Sequence, residues 1–187
     1  MNSKIILNHI NQIKNMLPIK KINKHKNEIC LFVDYEHIFF VLFFLKNFCL
    51  SQYTILTSIT AVDYTKKKYR FEIVYSLLSV RYNNRINIKI CVNELTKVQS
   101  CEKIYSAANW FECEVFDMYG IFFFNSSNLK RILTDYGFEG YPLRKDFPLS
   151  GFVEVRYDEK NKKVVNEFLE LTQEYRVFDF QTPWKNF

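Results

Sequence analysis

The sequence predicts an α+β fold. It has two layers: a mixed, mostly antiparallel sheet with helices packed on one face, followed by an irregular loop region and an extended C-terminal tail. Three observations predict it. Tyr69–Leu77 and Arg85–Val92 alternate apolar and polar residues with period two, the mark of strands covered on one side. Tyr35–Phe48 is apolar on most faces, and residues 104–118 carry apolar side chains at helical spacing. All four glycines (Gly120, Gly137, Gly140 and Gly151) fall within 32 residues, and none precedes Gly120. The first 119 residues therefore read as regular structure, and 120–151 as turns that use positive φ.

The elements follow in order. Ile6, Ile10, Ile13 and Leu17 share one helical face, so residues 1–27 read either as a first helix or as a removed presequence, being basic and free of acids. Glu28–Val33 is a short strand. Tyr35–Phe48 is a core helix under the sheet. Thr54–Val62 is a strand with Ile55, Ile59 and Ala61 on one side. Tyr69–Leu77 and Arg85–Val92 follow, with connections short enough for hairpins at Thr65–Lys68 and Tyr82–Asn84. Ile104, Ala108, Phe111, Val115 and Met118 mark the second long helix, with Ser100 as N-cap and Gly120 as stop. Asn128–Tyr136 is a shorter helical candidate, with Gly137 at its C′ position. Phe152–Tyr157 and Lys163–Glu167 form a further hairpin. The organisation is then an α+β domain over 1–119, a Gly/Pro-containing loop and hairpin region over 120–167 that completes it, and a partner-binding tail over 168–187.

Composition excludes several classes. The chain of 187 residues is 48% apolar and 25% charged, which is globular rather than disordered. Its net charge of +6 raises nucleic acid as a partner, and an organellar ribosomal or RNA-binding protein is the alternative reading. However, the six lysines of residues 1–27 hold all of that charge, and the chain from Glu28 onward has 20 basic and 20 acidic residues. A neutral body argues against nucleic acid. The longest apolar run, Ile38–Leu45, is too short for a membrane span. Five cysteines and three histidines lie at no ligand spacing, so neither a disulfide framework nor a metal set is expected. The abundance of Phe, Lys, Ile and Asn beside 4 Gly and 4 Pro matches A/T-rich codons, as in an organellar genome.

Catalytic motifs are missing. There is no G-x-G-x-x-G, no P-loop and no motif around any histidine. Glu114 and Asp117 stand at i, i+3 on a predicted helix and are the one acid pair a free-standing enzyme could use, although such residues are more often solvated or salt-bridged. The unusual segment is Leu133–Leu149, a long stretch of little regular structure that is either ordered by a partner or self-capping. Six of the last 20 residues are aromatic, and Pro183 blocks helix there, so this tail suits a groove on another protein or folds back over its own sheet. Candidate partner contacts in the loop are Asp135, Tyr136, Phe138, Arg144, Lys145, Asp146 and Phe147. In the tail they are Tyr175, Arg176, Phe178, Asp179, Phe180 and Trp184.

Several runs carry a resemblance. Asn109–Ile121 (NWFECEVFDMYGI) resembles the W-x-E-R-E-x-x-D-M-x-G-I signature of the 30 kDa subunit family of respiratory complex I, NADH dehydrogenase subunit 9. Leu129–Leu149 matches that family's loop almost throughout, and Val62–Tyr64, Phe71–Arg81, Gly151–Tyr157 and Glu170–Trp184 continue the likeness. Three departures stand out. Cys113 replaces an arginine, Asn125–Asn128 replaces a G-H-P-D turn, and Tyr141 replaces a histidine. The resemblance implies a non-redox core subunit of the peripheral arm at the matrix side of the mitochondrial inner membrane. It implies that this chain binds no cofactor, FMN and iron–sulfur clusters lying in other subunits. Its partners would be the hydrogenase-like subunit 7, along which the tail runs, and neighbouring iron–sulfur subunits. The resemblance thus implies a hetero-oligomer with no transmembrane segment and no nucleic acid.

Overall fold

A computed structural model describes residues 13–25, 28–173, 175–181 and 184. The architecture is α+β, as the periodicities predict. Strands β1 (Ile19–His25), β2 (Glu28–Val33), β3 (Ile55–Asp63), β4 (Phe71–Ser79) and β5 (Asn84–Val92) form one sheet in the order β1-β2-β5-β4-β3. Within this sheet β2 and β5 pair in parallel, and its other described neighbours are antiparallel. A 3-10 turn (Tyr35–His37) leads into helix α1 (Ile38–Asn47). Helix α2 (Ala108–Tyr119) lies between two short strands, β6 (Val98–Gln99) and β7 (Phe123–Phe124), which pair in parallel.

One sheet face and the helices share a single core. Leu31 of β2, Ile73 and Tyr75 of β4, and Ile88 and Ile90 of β5 are fully buried with Ile38, Val41, Leu42 and Leu45 of α1. The alternation seen in sequence places them there, since successive strand residues point to opposite faces. On the opposite face, Glu72 is buried by its own neighbours: Lys89 Nζ donates to it at 2.8 Å across the β4–β5 pair. A lysine cross-strand partner lets a carboxylate sit in mid-sheet.

Four expectations need correction. Strand β1 was not anticipated, because its sequence IKKINKH does not alternate; it is a lysine-rich edge strand, and such edges resist further pairing. Ile55 does not share the buried face of Ile59 and Ala61. The register shifts between Leu56 and Ser58, and this bulge puts Leu56 in the core and leaves Ile55 exposed. Ser100 is not the N-cap of the second long helix, since residues 101–107 form separate turns and α2 begins at Ala108. Asn128–Tyr136 is not helical, for a reason given by the site below. Of the first helical stretch, Ile13 and Leu17 are buried, whereas Ile6 and Ile10 lie outside the described residues.

The chain divides into two compact units, 1–147 and 148–187, so the division falls inside the Gly/Pro-containing stretch. In the second unit β8 (Val153–Asp158) and β9 (Lys163–Phe168) form the expected antiparallel hairpin. The described residues from 169 onward contain no helix or strand.

Gly120 ends α2 in the left-handed region at φ +76°, its N–H bonding to Phe116 O. A Cβ there would stand 2.6 Å from the Tyr141 ring and 2.7 Å from Arg144. Gly137 has a similar φ of +72° but open space around it. Gly137→Ala should therefore cost about 1 kcal/mol of backbone strain, and Gly120→Ala about 2 kcal/mol or more. Denaturant melts of the two variants check this; equal losses would show that the packing around Gly120 is not tight.

Candidate docking face

Within the first unit, the loop over residues 128–147 is held to the core elements by two carboxylates. The first is Asp117, fully buried on α2. Its Oδ2 accepts three consecutive backbone N–H groups, from Ile132 (3.0 Å), Leu133 (2.7 Å) and Thr134 (3.0 Å). Its Oδ1 accepts the Thr134 hydroxyl at 2.6 Å and Arg131 at 3.3 Å. Burial pushes this carboxyl up, but the bonds from Thr134, Leu133 and Ile132 outweigh burial and hold it below the usual carboxylate range. The helix expected over Asn128–Tyr136 is replaced by this arrangement, with its central N–H groups turned to a side chain on another element.

The second carboxylate is Asp63, at the end of β3. Arg70 grips it with two bonds, Nε to Oδ1 at 2.8 Å and Nη2 to Oδ2 at 2.9 Å. The Lys145 backbone N–H also donates to Asp63 Oδ2, at 2.9 Å. Arg70 further pairs with Glu94 and, at 3.0 Å, with Asp146. Arg70 beside Asp63 lowers that carboxyl, and the Asp146 carboxyl falls for the same reason. Between the two pins, Leu143 N donates to Met118 O at 3.1 Å, and Arg144 Nε donates to Tyr119 O at 2.7 Å. A cation on the last carbonyls of a helix is well placed.

These bonds sort the predicted contact residues. Arg144 and Asp146 bond within the chain, as does the backbone of Lys145. Phe138 and Phe147 pack together, with ring centroids 5.9 Å apart. Asp135 accepts the Tyr136 N–H at 2.7 Å and stays at the surface. Tyr136 is fully exposed, and Leu133 and Leu143 beside it are more than half exposed. In the tail, Tyr175, Phe178, Phe180 and Trp184 are exposed. The Phe178 and Phe180 rings lie 6.1 Å apart, Arg176 stands 6.0 Å from the Phe178 ring, and Asp179 accepts the Gln181 N–H at 2.9 Å. Glu114 and Asp117 do not act as a pair, since Glu114 is exposed and Asp117 is committed to the loop.

Sequence reasoning missed Asp63, Arg70, Glu112 and Arg131. A signal existed for two of them. Asp63 continues the buried side of β3 after Ile59 and Ala61, and Glu112 falls between Ala108 and Val115 on the buried stripe of α2. A charge on a buried stripe marks a side chain with fixed partners. Glu112 accepts the Cys101 N–H and the Ser100 hydroxyl, each at 2.7 Å, and so seats α2 against the end of β6. Burial raises its carboxyl to about 6 despite those two bonds.

The three departures from the family pattern are absorbed internally. The Cys113 thiol is buried and donates to Asn128 O at 3.4 Å. Ser127, in the altered turn, donates through N–H and hydroxyl to Glu102 at 2.9 and 2.6 Å. Tyr141 offers its ring to two guanidinium groups, Arg144 at 4.4 Å and Arg131 at 5.0 Å.

Residues 31–153 match the family model described as respiratory-chain NADH dehydrogenase, 30 Kd subunit. The chain belongs to this family. It is 53% identical over 161 residues to NADH-ubiquinone oxidoreductase subunit 9 of Prototheca wickerhamii, covering 86% of this chain and 84% of that one. It is 49% identical over 167 residues to NADH dehydrogenase [ubiquinone] iron-sulfur protein 3 of Beta vulgaris, covering 89% and 87%. Among solved structures it is similar to a chain of the membrane-bound sulfane sulfur reductase, an archaeal respiratory membrane complex. The TM-score is 0.67 at 25% identity, over 90% of this chain and 98% of that one. The Asp117-pinned loop lies within the residues that this family model matches.

Two outcomes test the pins. Asp117→Asn leaves buried N–H groups short of an acceptor and should cost about 2–3 kcal/mol. Amide exchange should quicken at Ile132, Leu133 and Thr134 more than in β4 or β5; uniform loss would show that Asp117 does not hold the loop specifically. For Glu112 the folded value, about 6, lies above the ordinary 4.5. The folded state therefore binds the proton more tightly, and stability falls as pH rises between those values. The loss should total about 2 kcal/mol above pH 6. Glu112→Gln should remove it, as read from urea melts at pH 4.5 and 6.5. An unchanged difference would exclude Glu112 as its source.

Proposed function

We propose that this chain is a non-redox core subunit of the peripheral arm of respiratory complex I, on the matrix side of the mitochondrial inner membrane. It braces the quinone-reducing module against the hydrogenase-like subunit 7 while other subunits carry electrons from NADH to ubiquinone. The observation that carries this reading is the pinned loop. Its backbone is held by Asp117 and Asp63; Arg131, Arg144 and Asp146 bond within the chain; and Leu133, Tyr136 and Leu143 are exposed beside the charged Lys130, Asp135, Glu139 and Lys145. A loop made rigid by its own polar groups binds a protein surface without an ordering cost. The aromatic tail adds anchors of the type that dominate protein interfaces.

The printed name of the Beta vulgaris relative includes iron–sulfur protein, but the thiols of this chain stand apart from one another. Cys30 and Cys91 are half-buried in different strands, Cys49 is exposed, and Cys101 and Cys113 are buried on separate segments. Cys113 is turned to Asn128 O. Among the described residues no three His, Cys, Asp or Glu side chains converge as metal ligands. This donor set does not fit a cluster, and the proposal places iron and FMN in neighbouring subunits. No helix of the described residues is long and apolar enough to cross a membrane, so membrane association is assigned to the complex.

The chain should co-migrate with NADH dehydrogenase activity on a native gel, and the purified chain should carry neither flavin nor stoichiometric iron. Stoichiometric iron would defeat the non-redox reading. Truncation after Glu167 should leave the melting of the first unit unchanged but stop incorporation into the arm. Normal assembly of the truncated chain would remove the tail from the interface.

A further inference from the structure

One side chain touches both pins of the loop. Arg131 pairs with Asp117 at 3.3 Å and donates to Gly140 O at 3.0 Å, so its guanidinium belongs to the first pin. Arg144 reaches Glu94 at 3.5 Å, Glu94 pairs with Arg70, and Arg70 grips Asp63 in the second pin. Both guanidiniums stand over the half-buried ring of Tyr141, Arg131 at 5.0 Å and Arg144 at 4.4 Å. From Asp117 to Asp63 the path is otherwise made of ion pairs, and the ring is its one uncharged link. The ring is also seated on the end of α2, since the Cβ that Gly120 lacks would lie 2.6 Å from it. Arg144 stands 5.3 Å from the Phe71 ring as well, so two aromatic side chains fix its orientation.

We propose that the Tyr141 ring couples the two pins, so that the loop opens as one unit and not from either end. The electrostatics allow it. Two bare cations over one ring would repel each other, but each guanidinium here has its own carboxylate, Asp117 for Arg131 and Glu94 for Arg144. The π-face of the ring then attracts both. When the first pin opens, Arg131 leaves the ring, the ring loses one of the groups that hold it, and Arg144 loses part of its seat. Opening at the second pin acts in the reverse direction, because a coupling between two sites is reciprocal. Where the family pattern has a histidine, this chain has a phenol ring, whose π-face is larger than that of an imidazole. A coupled loop keeps Leu133, Tyr136 and Leu143 in a fixed relation to one another. The coupling is a property of this chain alone and does not depend on which partner meets the loop.

The test is a double-mutant cycle read by amide exchange in the full chain, since only a cycle separates coupling from two independent effects. The Lys145 N–H, which donates to Asp63, reports on the second pin. Asp117→Asn, which acts at the first pin, should speed exchange at Lys145 at least threefold. In a Tyr141→Leu background the same substitution should speed it less than threefold, relative to Tyr141→Leu alone. In a Tyr141→Phe background, where the π-face is kept, the effect should again be threefold or more. If Asp117→Asn also quickens β4 and β5, Thr134→Val takes its place under the same criteria, because it removes only the hydroxyl bond to Asp117. An effect below threefold in the unaltered background shows that the pins open independently and overturns the proposal. An effect that survives Tyr141→Leu shows that α2 itself carries the coupling and overturns it too, as does an effect lost with Tyr141→Phe.

Discussion

The first unit depends on Asp117. One carboxylate, placed on the buried side of α2, accepts three successive N–H groups and a hydroxyl from a segment that has no regular structure. Irregular backbone can lie against a core only if its polar groups find partners. The Asp117 carboxylate supplies them, and residues 128–136 follow its geometry instead of their own helical propensity. Gly120, Tyr141 and Arg144 sit around the same helix end, so the C-terminus of α2 and the loop form one packed structure.

The same helix carries a second buried carboxylate with a different task. Among the described residues Glu112 has two donors and no cation partner, and burial raises it. Asp117 has five bonds and is lowered. Two acids five residues apart on one helix are pushed in opposite directions by the number of donors facing each. Glu112 seats the helix against the end of β6, Asp117 holds the loop, and Asp63 with Arg70 ties the far end of that loop to the sheet. The loop is therefore braced at both ends from elements of the core.

The two units differ in kind. The first buries a continuous apolar cluster drawn from strands β2 to β7 and both helices. The second is a hairpin and a chain segment in which most large apolar side chains of the described residues are exposed. The first has the makings of an independent fold, and the second has those of an interface. The excess positive charge of the chain belongs to neither role: it lies in residues 1–27, where Lys20, Lys21 and Lys24 line the edge strand.

Much of this was legible in the sequence. Strands β2, β3, β4, β5, β8 and β9 and both helices were legible, and the family from motifs in residues 109–149, because alternation and motif spacing are local properties. The fate of the polar residues was not legible. Whether Asp117 pairs with Glu114 or with a loop, whether Asp63 faces water or Arg70, and whether residues 128–136 coil into a helix all depend on groups distant in the chain. Thr134 is 17 residues from Asp117, and Lys145 is 82 residues from Asp63. The sequence by itself determined the period, and hence the sheet, the helices and the apolar core. Only the tertiary structure decided the partners of the buried charges, because a carboxylate takes whichever donors the completed fold brings within 3 Å.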